Sequence, residues 1–178
     1  MKRVIHIFGA SGSGTSTLGR ALAERTGFRR MDTDDYYWLP AEPMYTLKLP
    51  VSERLALMER DLDQAEGAAL SGSLVGWGDS LIPRFTLAVR LDTPTPVRME
   101  RLRQREYARN GERILPGGDL YEQSQAFLDW AARYDDGVPP LRSRALHDLW
   151  QQQLPCPVLT LDGTKPVEEL AAAVLEKL

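Results

Sequence analysis

Gly9-Ala10-Ser11-Gly12-Ser13-Gly14-Thr15-Ser16-Thr17 follows the apolar run Val4 to Phe8 and opens the helical pattern Leu18-Gly19-Arg20-Ala21-Leu22. An apolar strand, a glycine loop and a helix in that order make a phosphate cradle. Glycines let consecutive backbone N–H groups turn inward around one anion, where side chains would obstruct the concavity. The helix that follows points its positive end at the same place. Gly9 and Gly14 stand at the glycines of the pattern G-x-x-x-x-G-K-[S/T], and Ser16 at the hydroxyl that serves magnesium. Thr15 stands where the pattern has lysine, so the loop lacks the mobile cation that spans the β- and γ-phosphates. Ser11, Gly12, Ser13 and Thr17 complete the expected nucleotide-binding set. The competing reading is a glycine turn without a ligand; the glycines, the hydroxyls and the flanking elements favour the cradle.

At 178 residues the chain suits a single domain, residues 1–178, able to bury a core without metal or disulfides. Its formal charge of −3 gives no general attraction to nucleic acid or anionic membrane, so small molecules are the expected partners. No apolar run approaches the ~20 residues of a membrane span. Lys2 and Arg3 precede a short apolar segment that contains His6 and runs into the glycine loop, which reads as a strand and not as a signal peptide. Cys156 is the only cysteine, so there is no disulfide framework and a reducing cytoplasm is the expected setting. Four lysines stand against eighteen arginines, a bias toward bidentate phosphate contacts that genomic base composition could also produce.

The first helix should run from about Thr15 to Arg25 and stop near Gly27. Phe28 to Met31 reads as a second strand that delivers Asp32-Thr33-Asp34-Asp35-Tyr36-Tyr37-Trp38 to its carboxyl end, where open α/β sheets bind ligands. An irregular loop to Pro50 precedes a helix capped by Ser52, with Leu55, Met58 and Leu62 inward. Ala68 to Ser71 and Phe85 to Leu91 are further strands. Thr95 should cap a helix with Pro96 at its first position, and Asp119 a helix reaching about Tyr134. Another helix is expected from Pro140 to Trp150, with Leu149 on its apolar side and His147 on the surface. Pro157 to Leu161 and a helix to Leu178 close the chain. Alternating strands and helices imply a parallel sheet covered on both faces.

With these elements in place the chain resembles the nucleoside-monophosphate-kinase and shikimate-kinase branch of P-loop proteins. The resemblance implies a three-layer α/β fold with a five-stranded parallel sheet, an acceptor-binding segment over about residues 36–66 and a helical lid over about 106–138. Arg101-Leu102-Arg103-Gln104-Arg105 is similar to the family's R-L-x-x-R stretch, whose first arginine lies against the nucleotide base and whose second reaches the transferring phosphates. Leu161 to Glu169 looks like the terminal turn that contacts adenine, which assigns Gly163, Thr164 and Lys165 to the nucleotide. Asp32-Thr33-Asp34 is similar to a D-x-D turn that serves magnesium and the acceptor hydroxyl. Archaeal cytidylate-kinase-like loops also carry threonine at the position of Thr15.

Arg98, Arg101, Arg105 and Arg109 fall at helical spacing on one face, so four guanidinium groups in a row could replace the missing lysine. The alternative is a solvated face balanced by Glu100 and Glu106. Arg105 and Arg109 are the expected catalytic arginines and Asp34 the catalytic carboxylate, with magnesium at Ser16 and Asp34. In an extended turn Asp32 and Asp34 would share a side and Asp35 would point away. Asp32, Ser71, Gly72 and Trp77 are assigned to the acceptor, and Trp77-Gly78-Asp79 could add a carboxylate. His6 should be buried and hydrogen-bonded. Only Arg54 and Arg60 are available in the acceptor segment for a nucleoside monophosphate. The expected activity is ATP-dependent phosphoryl transfer to a nucleotide or hydroxyl-bearing metabolite, with a nucleotide-binding module or a weak NTP hydrolase as alternatives; oligomeric state stays open.

Overall fold

In the computed structural model, which describes residues 2–178, Arg3–Gly9 is strand β1, and Val4 to Gly9 are buried on both of its faces. A strand hidden on both sides belongs inside a parallel sheet. Its neighbours are β3 (Gly67–Ser71) and β4 (Leu87–Asp92), which pair with it in parallel through Ile5↔Ala69 and Ile5↔Leu87. β2 (Arg29–Asp32) and β5 (Val158–Asp162) form the edges, giving the order β2-β3-β1-β4-β5. Chain direction across the sheet reverses at β1, so the crevice that binds ligands in such sheets opens at its carboxyl end, where the glycine loop starts.

Alternation along β1 divides the core. Ile5 and Ile7 pack with Leu18 and Leu22 of α1 (Thr15–Thr26) and with Leu170 and Val174 of α7 (Val167–Leu175). Val4 and Phe8 pack with Met58 and Leu62 of α3 (Val51–Gln64) and with Trp150 of α6 (Arg144–Gln151). Each such fully buried side chain contributes roughly 1.5–3 kcal/mol, which fixes both faces of the sheet. The short α2 (Thr33–Tyr37) follows β2. α4 (Thr95–Asn110) and α5 (Tyr121–Ala132) share a smaller core of Met99, Leu102, Leu128 and Ala131 beside the three layers of the fold.

Several helix starts differ from expectation, and proline explains two of them, at α3 and α4. α3, α4 and α7 each begin after a proline cap, Pro50, Pro94 and Pro166, held at φ near −55° with ψ between 142° and 145°. A proline at that position gives up an N–H the helix does not need, while its carbonyl still accepts, as Pro50 O does from Arg54 N and Pro94 O from Arg98 N. Ser52 therefore lies inside α3 and Thr95 opens α4, its hydroxyl bonded to Asp135. Asp119 pairs with Arg113 at 2.7 Å and leaves the cap of α5 to Leu120. α6 starts only at Arg144, because the Ser143 hydroxyl accepts from Leu146 N at 3.2 Å; Leu149 is exposed on it.

Both histidines are fully buried, which corrects the surface placement of His147. His6 stacks on Phe85 and Phe8, and neither of its ring nitrogens has a hydrogen-bond partner among the described residues, contrary to expectation. His147 bridges Ser73 Oγ at 3.0 Å and Tyr134 OH at 2.7 Å, tying the exit of β3 to the end of α5. Burial pushes each ring down to about 3 from the ordinary 6.5. The folded value lies below the unfolded one, so this stability is whole above the unfolded pKa and is lost as pH falls through it toward the folded one. Protonation at about pH 5 is then expected to cost on the order of 2 kcal/mol for each ring. Denaturant unfolding at about pH 7.5 and about pH 5 should differ by roughly 4 kcal/mol, and His6→Phe should halve that difference. A stability flat across that window would contradict the neutral, buried state of the rings.

Candidate active site

The loop between β1 and α1 forms because its glycines take backbone angles open to few other residues: φ is +82° at Gly12 and +101° at Gly14. Gly14 is the cap of α1, and no side chain caps that end, so the first N–H groups of the helix, at Thr15, Ser16 and Thr17, are free to meet an anion. Ser16 and Thr17 are exposed. Gly9, Ser11, Gly12, Thr15 and Ser16 line one wall of a cleft of about 680 Å³. Ser13 is buried, its N–H spent on Ala10 O, so it braces the loop from behind.

Asp32 and Asp34 line the same cleft. Asp32 is buried, and both its oxygens are engaged: Oδ1 accepts from Asp34 N at 3.1 Å and Oδ2 from Ser71 Oγ at 2.9 Å. Ser71, expected at the acceptor, is itself fully buried and acts on Asp32. The turn is not extended as the parity argument requires. Asp32 caps α2, and on a helix successive side chains diverge by about 100°, which sends Asp34 into the cleft and Asp35 outward to Arg30 at 3.9 Å. Asp34 is open to the cleft yet walled by protein. That desolvation, with the charge of Asp32 beside it, pushes its carboxyl above the usual range, against the pull of Arg142 and Arg105.

The arginine row divides into two pairs. Arg98 is fully buried and donates to the carbonyls of Thr93, Ser11 and Ala131 and to Thr95 Oγ1, so it staples α4 and α5 to the loop. Arg101 gives both terminal nitrogens to Gly163 O at 3.0 Å and reaches Gly12 O and Ser13 O. Neither lines the cleft, which corrects the expectation of four guanidinium groups facing an anion. Arg105 and Arg109 do line it, near Glu106. Gly163, Thr164 and Lys165 do not line the cleft: Gly163 is buried, Thr164 bonds Asp162, and Lys165 pairs with Glu169 at 3.5 Å.

Across the cleft, Tyr37, Trp38, Tyr45 and Trp77 make an aromatic wall, with Gly72 below it. Arg54 braces that wall from behind, 3.7 Å from the Tyr37 ring centre, and Arg60 pairs with Asp61. The cation on the acceptor side is instead Lys48, which lies over the rings of Tyr37 and Trp38. Asp79 turns away to accept from Trp150 Nε1. For magnesium the fitting donors are Ser16 and Asp34, hard oxygens on facing parts of one cleft, since Asp32 is already occupied. No group of three or more His, Cys, Asp or Glu is placed to hold a metal ion among the described residues.

Besides Lys48, a second cation of the cleft carries no motif in the sequence. Arg142, between α5 and α6, donates from Nη2 to Ser11 Oγ at 2.5 Å, and its guanidinium lies 4.5 Å from the Trp130 ring centre. No motif marks it; the only signal was another arginine near a chain whose lysine is missing.

No protein-family model matches the chain. The solved shikimate kinase of Bacteroides thetaiotaomicron superposes with a TM-score of 0.59, covering 98% of this chain and 97% of that one at 15% identity, which establishes the shared fold. The cytidylate kinase of Pyrococcus horikoshii is 33% identical over 119 residues, 59% of this chain and 58% of that protein. Identity of 48% over 178 residues, all of this chain and 98% of its relative, places the chain in the family of the Bacillus subtilis (strain 168) protein described as "Uncharacterized protein YqaC".

Proposed function

We propose that this protein is a kinase that transfers the γ-phosphoryl group of ATP to a small molecule held against the aromatic wall. The observation that carries this reading is the convergence of three walls on one cleft: the glycine loop with the open end of α1, the Asp34 carboxylate, and the side chains of Arg105, Arg109 and Arg142. The loop binds the phosphates through backbone N–H groups. An acceptor oxygen forms its bond to the γ-phosphorus as the bond to the β-bridging oxygen breaks, and Asp34 takes the proton of a hydroxyl acceptor. Arg105 and Arg109 neutralise charge on the group in transit. Ser16 and Asp34 would hold magnesium, which when bound would supply further positive charge to the phosphates. Helices α4 and α5 serve as the lid, and the segment carrying Tyr37 to Lys48 as the acceptor side.

Lys48 and Arg109 favour an anionic acceptor, and the partial match to a cytidylate kinase puts cytidine monophosphate first in a panel of nucleotides and hydroxylated metabolites. ADP formed from ATP and magnesium only when an acceptor is present would support the reading. Phosphate release indifferent to acceptor would mark a hydrolase. Tight ATP binding with no turnover would mark a binding module, the reading that Thr15 favours. Within the kinase reading, Arg105→Ala is expected to lower turnover by about 10²-fold with a smaller change in ATP affinity, because its contact matters most in the transition state. Full activity in that variant would reduce Arg105 to a surface charge.

A further inference from the structure

We propose that Arg142 is the phosphate-binding cation of this loop, supplying from the end of the lid the positive charge that Thr15 cannot; the assignment rests on the kinase reading above. Arg142 is 131 positions from Ser11 in sequence, yet its Nη2 is hydrogen-bonded to the Ser11 hydroxyl. It lines the cleft together with Gly12, Thr15, Ser16 and Asp34. Its Nε is buried and has no hydrogen-bond partner among the described residues. A desolvated guanidinium with free donors is costly unless something completes it. Of the other arginines near the loop, Arg98 and Arg101 are committed to backbone carbonyls, and Arg105 and Arg109, open to the cleft, share their charge with Glu106. Among the described residues the carboxylate that acts on Arg142 is Asp34, through its charge and without a salt bridge.

Its position is prepared in advance. The Trp130 ring supports the guanidinium from one side, its centre 4.5 Å from Cζ. The next two residues are fixed: Ser143 is fully buried as the cap of α6, and Arg144 is paired with Asp92 at 2.7 Å and Asp135 at 3.0 Å. A planar fork so held matches two phosphate oxygens better than a mobile ammonium does. Arg142 shares the cleft with Asp34, and its charge acts on that carboxyl.

The test is calorimetry with ATP and with AMP on the whole chain as wild type, Arg142→Met, Arg142→Lys and the double variant Arg142→Met/Thr15→Lys. Arg142→Met is expected to lose about 10- to 100-fold in ATP affinity, the scale of a hydrogen bond to a charged group, with little change for AMP. Thr15→Lys in the same chain should restore most of that loss. If Arg142→Met does not fold, Arg142→Lys keeps the charge without the fork, and a loss of about 10-fold confined to ATP supports the proposal. Equal ATP affinity in wild type and the folded variants overturns it. So does a loss equal for ATP and AMP, or one that Thr15→Lys leaves in place, because either makes Arg142 a prop of the loop. A wild type that binds no ATP fails differently: it removes the kinase reading itself.

Discussion

Asp34→Asn is expected to lower phosphoryl transfer by about 10²- to 10⁴-fold while ATP still binds, the scale of losing a general base. Of the two carboxylates on the cleft wall, Asp32 has both oxygens bonded, to Asp34 N and to Ser71 Oγ, so only Asp34 has oxygens to offer to metal or acceptor. Asparagine keeps the volume and removes the charge. Asp35 is the internal control: it lies outside the cleft, largely exposed and near Arg30, and Asp35→Asn should stay within about threefold of wild type, as surface changes do. Turnover with an acceptor, or magnesium-dependent hydrolysis of ATP before one is known, measures both variants. An essential Asp35 beside a dispensable Asp34 would reverse the assignment.

That turn also illustrates what local pattern can and cannot deliver. Alternation and loop chemistry act over a few residues, so β1, the glycine loop, α1 and the order of strands and helices were legible in the sequence. The side on which Asp34 emerges was inferred from an extended backbone. It holds for a different reason, the helical turn that Asp32 caps. The hydroxyl and acidic residues expected as caps at Ser52, Thr95 and Asp119 were read without weighing the prolines before two of them or the Arg113 that claims the third.

Charge was harder to read than backbone. Helical spacing correctly put Arg98, Arg101, Arg105 and Arg109 along one face of α4, but spacing carries no information about what that face meets. Its first half docks on the glycine loop, where carbonyls of Ser11, Gly12, Ser13 and Gly163 need donors, and only its second half reaches the cleft. Arg142 was illegible for the same reason in stronger form, since its partner Ser11 lies 131 positions away in the chain. Buried His147 followed suit: its two partners, Ser73 and Tyr134, come from separate elements that only the tertiary structure joins.

Gly14→Val is expected to abolish measurable ATP binding with little loss of stability, and Gly12→Val to abolish binding and destabilise the fold far more. The two glycines differ in what surrounds them. A Cβ on Gly14 would find Arg101 Nη1 at 3.8 Å and Leu91 Cδ1 at 3.9 Å, ordinary contacts, so the cost is conformational: φ is +101°, a region that L-residues avoid by about 1–2 kcal/mol and β-branched ones by more. A domain stable by about 5–15 kcal/mol survives that, with a melting point lower by a few degrees. The nest does not survive, because the strained residue relaxes by turning the N–H groups of Gly14 and Thr15 away from the anion. A Cβ on Gly12 would instead lie 2.8 Å from the carbonyl oxygen of Arg98 and 3.0 Å from Leu102 Cγ. To make room α4 must retreat, drawing Arg98 from the carbonyls it satisfies and leaving a guanidinium buried without partners, a loss of about 3–5 kcal/mol. Calorimetry with ATP and thermal melts on both variants separate the effects. ATP affinity in Gly14→Val equal to that of wild type would remove the phosphate nest, and the chemistry built on it, from this protein.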